Sequence, residues 1–306
     1  PPNKPIARVD EADKIFLKAE AKYKSIVEDI LETHTKGQPI LVATTSVVES
    51  EHISDLLQKE GIFHYVLNAK NHALEAQIVA LAGISGSVTV ATSMAGRGTD
   101  IILGGNQEEI ISMREKQLVR TTALRNIIIS NLAMKKAIEP GEEVKGQQLQ
   151  WSNMVVLEEF LNGTLTYLEE QPSKGIAYDK MLLGSLALLE IFLNNEIKRV
   201  NSTWEEERNK AVKAGGLYVL GCSRNESRRI DDQIKGRSGR QGDIGRSCFY
   251  ISFDDPWLVA FAENRMINYI RNTNSEDTML QSPMLAKVVR NTEKKFEAHH
   301  YEGRKN

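Results

Sequence analysis

Between residues 39 and 92, three short apolar runs alternate with two amphipathic ones, joined by links of only a few residues. "PILVATT" (39–45), "IFHYVLNA" (62–69) and "SVTVAT" (87–92) are short, nearly continuous apolar segments. Such segments suit strands buried on both faces. "VVESEHISDLLQKE" (47–60) and "HALEAQIVALAG" (72–83) instead space their apolar residues at the helical period. A β-α-β-α-β order with short links closes into a parallel, doubly wound sheet, because each helix returns the chain for the next strand. Local signals agree. Ser46 and Glu49 form an S-x-x-E capping box ahead of the first crossover helix, and Gly61 ends it.

The alternation resumes late in the chain. "GGLYVLGC" (215–222) reads as a strand, "NESRRIDDQIKGRSGR" (225–240) as helix and loop, and "SCFYISF" (247–253) as another strand. From about Gln107 to about Lys213 the pattern is helix and loop only. The predicted organisation is one α/β domain in two parts, residues 1–106 and 214–255, interrupted by a helical insertion at 107–213. C-terminal helices follow at 256–306. Residues 1–12 read as extended and 15–37 as a helix stopped by Gly37. Residues 284–302 read as an exposed helix leaving the domain. "MLLGSLALL" (181–189) is far too short to span a membrane and reads as a helix core face.

Composition narrows the functions. Lys and Arg number 39 against 41 Asp and Glu, a net charge of −2, so no global basic field draws a polyanion. General nucleic-acid binding gains no support from this balance. The opening "PPNKPIARVD" has neither initiator Met nor apolar leader and reads as a piece excised from a longer protein. The two cysteines, Cys222 and Cys248, lack CxxC spacing, which argues against zinc. They are predicted to be unpaired, near opposite ends of parallel strands and about 20 Å apart, beyond disulfide reach.

Two Gly/Arg-rich segments carry the chemistry. "DDQIKGRSGRQGD" (231–243) places Lys235, Arg237 and Arg240 among three glycines. "ATSMAGRGTDIILGGN" (91–106) places Arg97 between Gly96 and Gly98, with Asp100 close behind. One such triplet is compatible with a solvated turn. Two, each following a strand, predict a shared anion-facing surface at the carboxyl edge of the sheet, where ligands of doubly wound folds lie. Arginine forks match phosphate oxygens, and Asp100 can accept from ribose hydroxyls. No phosphate cradle of the form G-x-x-x-x-G-K-[ST] occurs in the chain. It can therefore lend arginines to a triphosphate that another domain holds.

"HYVLNAKNHALEAQIVALAG", "VTVATSMAGRGTDIILGGN" and "ESRRIDDQIKGRSGRQGD" together resemble the second RecA-like nucleotide-binding domain of the SecA family, the motor ATPases of preprotein translocation. The resemblance covers 1–106 and 214–306. It implies that ATP lies between this domain and a first nucleotide-binding domain, which carries the cradle and most of the Mg²⁺ ligands. It further implies that Asp100 contacts nucleotide with Gly96 and Gly98, that Arg97 serves hydrolysis, and that Arg237 and Arg240 face the phosphates. Arg240 takes the finger role. Gln233 opens the motif that holds them, and Arg229 belongs to an inter-domain gate. Partners implied are a preprotein, a SecYEG-type translocon and, peripherally, a membrane surface, in bacterial cytoplasm or plastid stroma. The long insertion is similar to cyanobacterial and plastid forms. The sequence departs from the usual motif at Cys222, Ser223, Asn225, Asp232 and Lys235, which leaves the turn before the helix open. Two other readings stand beside this one: half of a nucleic-acid helicase, and a docking module without catalysis.

Overall fold

The computed structural model describes residues 5–69, 74–92, 100–138, 142, 144–147, 149–170, 175–262, 270, 279–280 and 283–303. Within them the chain divides into two compact units. One comprises residues 1–106 and 205–306, the other residues 107–204.

The first unit is α/β. Its strands are β1 (Ala7–Asp10), β2 (Lys14–Phe16), β3 (Ile40–Thr44), β4 (Tyr65–Leu67), β5 (Val88–Thr92), β6 (Leu217–Gly221) and β7 (Ile244–Ser252). They pair in the order β1-β7-β6-β3-β5-β4, and β2 continues along β7 beyond β1. Every pairing between these strands is parallel. The central strands β3 and β6 are buried at every residue, as their continuous apolar runs require. Helices α1 (Ala19–Thr35) and α2 (Val47–Lys59) lay Ile26, Ile30, Ile53 and Leu57 on one face of the sheet. α3 (Glu75–Leu81) leads to β5.

The capping box is formed. Ser46 Oγ accepts from the Glu49 amide at 3.1 Å, while the Glu49 carboxylate reaches back to the Thr45 amide at 2.9 Å. Gly37 and Gly61 stop their helices at φ +76 and +70. The predicted helix 15–37 is shorter than its periodicity suggested. Ile15 and Phe16 belong to β2, opposite Ile251 and Ser252 of β7, because two adjacent buried apolar residues suit a sheet better than one helix face. The terminal helix α9 (Pro283–Gly303) does not simply leave the domain. Its Leu285 and Val289 are buried in a cluster with Trp257 and Leu258 of α8 (Pro256–Phe261).

Cys222 and Cys248 are both buried and unpaired. The reason differs from the predicted one. β7 starts at Ile244, so Cys248 sits opposite Leu220 in mid-strand and not at the far end of the sheet. The two cysteines are offset by two residues on adjacent strands, which puts their Cα atoms roughly 8 Å apart, still outside the roughly 7 Å that a disulfide bridges.

The second unit is helical: α4 (Gln107–Met134), α5 (Met154–Glu169) and the greater part of α6 (Ile176–Lys213). Leu124, Ile128, Leu157, Leu161, Leu186 and Leu193 form its core. "MLLGSLALL" is a core face, with Leu182, Leu183, Leu186 and Leu189 buried. Trp151 packs on Phe160 at 4.9 Å. No described helix is long and apolar enough to cross a membrane.

Candidate functional site

Helix α7 (Arg228–Lys235) follows β6 and runs back toward the start of β7. Its entry is fixed by Asp231, which is 1 % exposed and accepts from the Asn225 amide at 3.1 Å and from Asn225 Nδ2 at 2.8 Å. Asn225, one of the departures from the usual motif, is thus part of the turn. Ile234 anchors the helix inward, while Arg229 and Gln233, one turn apart, share an exposed face.

Beyond α7 the backbone keeps turning. Gly236 is right-handed, and the amides of Gly236, Arg237 and Ser238 bond back to Asp232, Ile234 and Lys235. Gly239 then takes φ +71, where a Cβ would stand 2.7 Å from Arg8 Cβ. The close approach that this glycine allows is to β1 of the same domain. Ser238 Oγ donates to Leu217 O at 2.6 Å, Arg8 Nη1 to Ser238 O at 3.1 Å, and Arg208 pairs with Asp243 at 2.9 Å. Arg8 and Arg208 were invisible to motif reading, since each lies far from the loop in sequence and in no recognisable pattern.

Arg240 lies in the 3₁₀ turn Arg240–Gly242. Its Nε donates to Gly236 O at 3.1 Å and its Nη1 pairs with Asp100. Both side chains of this pair are 43 % exposed. The two Gly/Arg segments therefore meet, but not at the predicted edge. Residues 238–243 lie beside the first residues of β6 and β7, and the amides of Gly104 and Asn106 bond to Gly83 and Ala80, ahead of β5. The meeting point is the amino-terminal edge of the sheet. The cause is the crossover: α7's eight residues rise about 12 Å and carry the motif from one edge to the other. Arg229, near the start of α7, and Arg240, past its end, therefore occupy separate places. Arg237 is half-buried between them. Gly96, Arg97 and Gly98 lie outside the described residues.

The carboxyl edge carries a different feature, a cleft of about 740 Å³ lined by Thr45, Ser46, Thr92, Ser223, Asn225 and Trp257 among others. Among the described residues no group of His, Cys, Asp and Glu could hold a metal ion.

Residues 5–278 match the model of the SecA P-loop domain. The whole chain is 38% identical to a protein translocase subunit SecA of Clavibacter sepedonicus, of which it covers 26%. It is 38% identical to the chloroplastic protein translocase subunit SecA of Pisum sativum, covering 32% of it, and 37% identical to a chloroplastic SECA1 of Arabidopsis thaliana, covering 32%. The chain thus spans about a quarter to a third of the length of these relatives. Bacterial and chloroplast proteins alike match over all of it, so the match does not single out a plastid form.

Proposed function

Because the chain belongs to the SecA P-loop domain family, we propose that it is the second RecA-like nucleotide-binding domain of a protein-translocating ATPase, closing over ATP held by a first nucleotide-binding domain. The observation that carries this reading is the exposed pair Asp100–Arg240, which joins the two Gly/Arg segments at one place. Arg240, with Arg237 behind it, offers guanidinium donors to the phosphates. As charge develops on the terminal phosphoryl group, Arg240 neutralises it, while Arg97 serves the same step. Asp100 has two oxygens, so one can hold Arg240 while the other accepts from a ribose hydroxyl. Gly96, Gly98 and Gln233 complete the nucleotide contacts, and Arg229, at the other end of α7, belongs to the inter-domain gate. Mg²⁺ comes with the first domain, and no step is assigned to it in this chain.

In this reading residues 107–213 are a helical insertion into the RecA-like domain, and 256–306 begin a helical scaffold. The whole protein moves preproteins through a SecYEG-type translocon, associating peripherally with the membrane from the bacterial cytoplasm or plastid stroma. The test is steady-state ATP hydrolysis by the intact protein that carries this chain. Arg240→Ala is expected to lower kcat by about 10³-fold or more. Asp100→Ala is expected mainly to raise KM for ATP, because it contacts ground state and transition state alike. The isolated 306-residue chain, lacking a cradle, is expected to hydrolyse nothing above background. An intact Arg240→Ala protein with unchanged kcat overturns the reading.

A further inference from the structure

Arg224 lies outside every arginine role assigned above, yet it is enclosed beside α7. Its side chain is 10 % exposed. Nη2 reaches Asp13 Oδ2 at 2.5 Å and Nη1 reaches Asp231 Oδ2 at 3.3 Å. The guanidinium carbon stands 4.3 Å from the centre of the Phe249 ring. Asp13 belongs to the short link between β1 and β2, and Asp231 to the first turn of α7. One planar fork thus joins the strap β1–β2 to the helix that begins the arginine motif.

The same strap touches the motif again at its other end. Arg8 of β1 donates to Ser238 O at 3.1 Å, and Gly239 packs against the Arg8 side chain. β1 and β2 are both paired to β7, so the strap cannot slide independently of the sheet. Residues 8–13 therefore hold the motif at two points, before α7 and after it. The two contacts are not equivalent. Arg8 takes a backbone carbonyl of the loop, whereas Arg224 faces the buried carboxylate of Asp231 and the part-exposed one of Asp13. Burial pushes the carboxyls of Asp231 and of Glu293, on α9, above their ordinary values, and the Arg224 charge pulls against that in both. Without the guanidinium, Asp231 is a buried acid beside two other acids, and the bonds from Asn225 are left to hold the turn against their repulsion.

We propose that Arg224 is a positioning residue for phosphoryl transfer: by clamping Asp231 to Asp13 it sets the start of α7, and thereby where Arg237 and Arg240 stand. This rests on the nucleotide reading above. Lysine cannot replace it, because a point charge on a flexible stem does not bridge two carboxylates in fixed geometry.

The test uses the intact protein with Arg224→Lys, Arg224→Ala and Asp13→Asn, each also combined with Arg240→Ala, and ATP as the probe. Displacing the arginines by about 1 Å is expected to cost roughly 10–100-fold in kcat, with KM for ATP changed by less than about threefold. Arg224→Lys keeps charge and bulk, so its loss of kcat at a thermal midpoint near wild type separates positioning from failure to fold. Because Arg224 acts through Arg240 as well as Arg237, Arg224→Ala is expected to lower the rate of the Arg240→Ala protein by a smaller factor than it lowers wild type. Two results overturn the proposal while leaving the nucleotide reading intact: impaired Arg240→Ala beside Arg224→Lys and Arg224→Ala of wild-type kcat, or losses that simply multiply in the double variant. If Arg240→Ala itself hydrolyses ATP like wild type, both readings fail together.

Discussion

Asp29 is a single carboxylate that ties four elements together. From α1 it accepts hydrogen bonds from Lys14 of β2 at 3.0 Å, Tyr218 of β6 at 2.8 Å, and Tyr250 of β7. Arg246 approaches to 3.6 Å. Burial pushes its acidity toward the neutral form, but the bonds from Tyr250, Lys14 and Tyr218 outweigh it and hold the pKa at about 2, below its ordinary 3.8. A folded value below the unfolded one contributes stability that is full above about pH 4. That contribution drains away as pH falls toward 2. Water still reaches part of the site, so the contribution is about 1–2 kcal/mol rather than the full value of the shift. Asp29→Asn is expected to lower the thermal midpoint at pH 7 and to match wild type near pH 2. A constant deficit across that range contradicts the assignment. The cysteines make the complementary case. Burial raises Cys248 to about 12 and holds Cys222 well above its ordinary value, so both stay thiols in the core and act as small apolar side chains.

At the scale of elements, the glycines separate two reasons for being glycine. Gly61 ends α2 at φ +70 with nothing within 4 Å of a Cβ, so only the left-handed backbone matters there. Gly216 enters β6 at φ +69, and a Cβ there would stand 2.0 Å from the carbonyl oxygen of Ile244. That oxygen starts the neighbouring strand and cannot move without breaking the β6–β7 ladder. Gly61→Ala is therefore expected to cost about 1 kcal/mol, the left-handed penalty alone. Gly216→Ala is expected to cost about 3 kcal/mol or more, because overlap adds to strain. Denaturant titration of the two variants checks the contrast, and equal losses refute it. The same ladder matters for the site, since Ser238 and Gly239 rest on the first residues of β6 and on β1.

For the whole molecule, the division into two units makes a direct prediction. The chain leaves the α/β unit at Asn106 and re-enters it at Glu205. Within that unit, Gly104 packs against the Arg208 backbone, where a Cβ would lie 2.8 Å from its nitrogen. Exit and entry are thus neighbours, and a short link can join them without stretching the sheet. Replacing residues 107–204 by a short Gly/Ser linker is expected to leave a cooperatively folding α/β unit with the Asp100–Arg240 contact preserved. Loss of the cooperative transition on deletion shows instead that the helical unit is needed for folding.

What was legible in the amino-acid order is whatever short-range physics decides. Continuous apolar runs marked β3, β5 and β6, and helical spacing marked α2 and most of α1. Ser46 and Glu49 announced a cap that is formed, and Gly37 and Gly61 announced stops. Parallel topology followed from the lengths of the links. The pairing of the two Gly/Arg segments was anticipated only as a shared surface. β1 was legible only as extended backbone and β2 not at all, because three or four residues carry too little periodicity and hold their form only by pairing with β7. Nor was the edge at which Asp100 meets Arg240, since that depends on how far α7 carries the chain back along the sheet. Asp13 and Arg224 are 211 positions apart, and Arg8 and Ser238 are 230 apart. Nothing local encodes such pairs. They exist because the parallel sheet sets β1 and β2 beside β7, and only that packing turns a surface acid and a loop arginine into the hold on the motif.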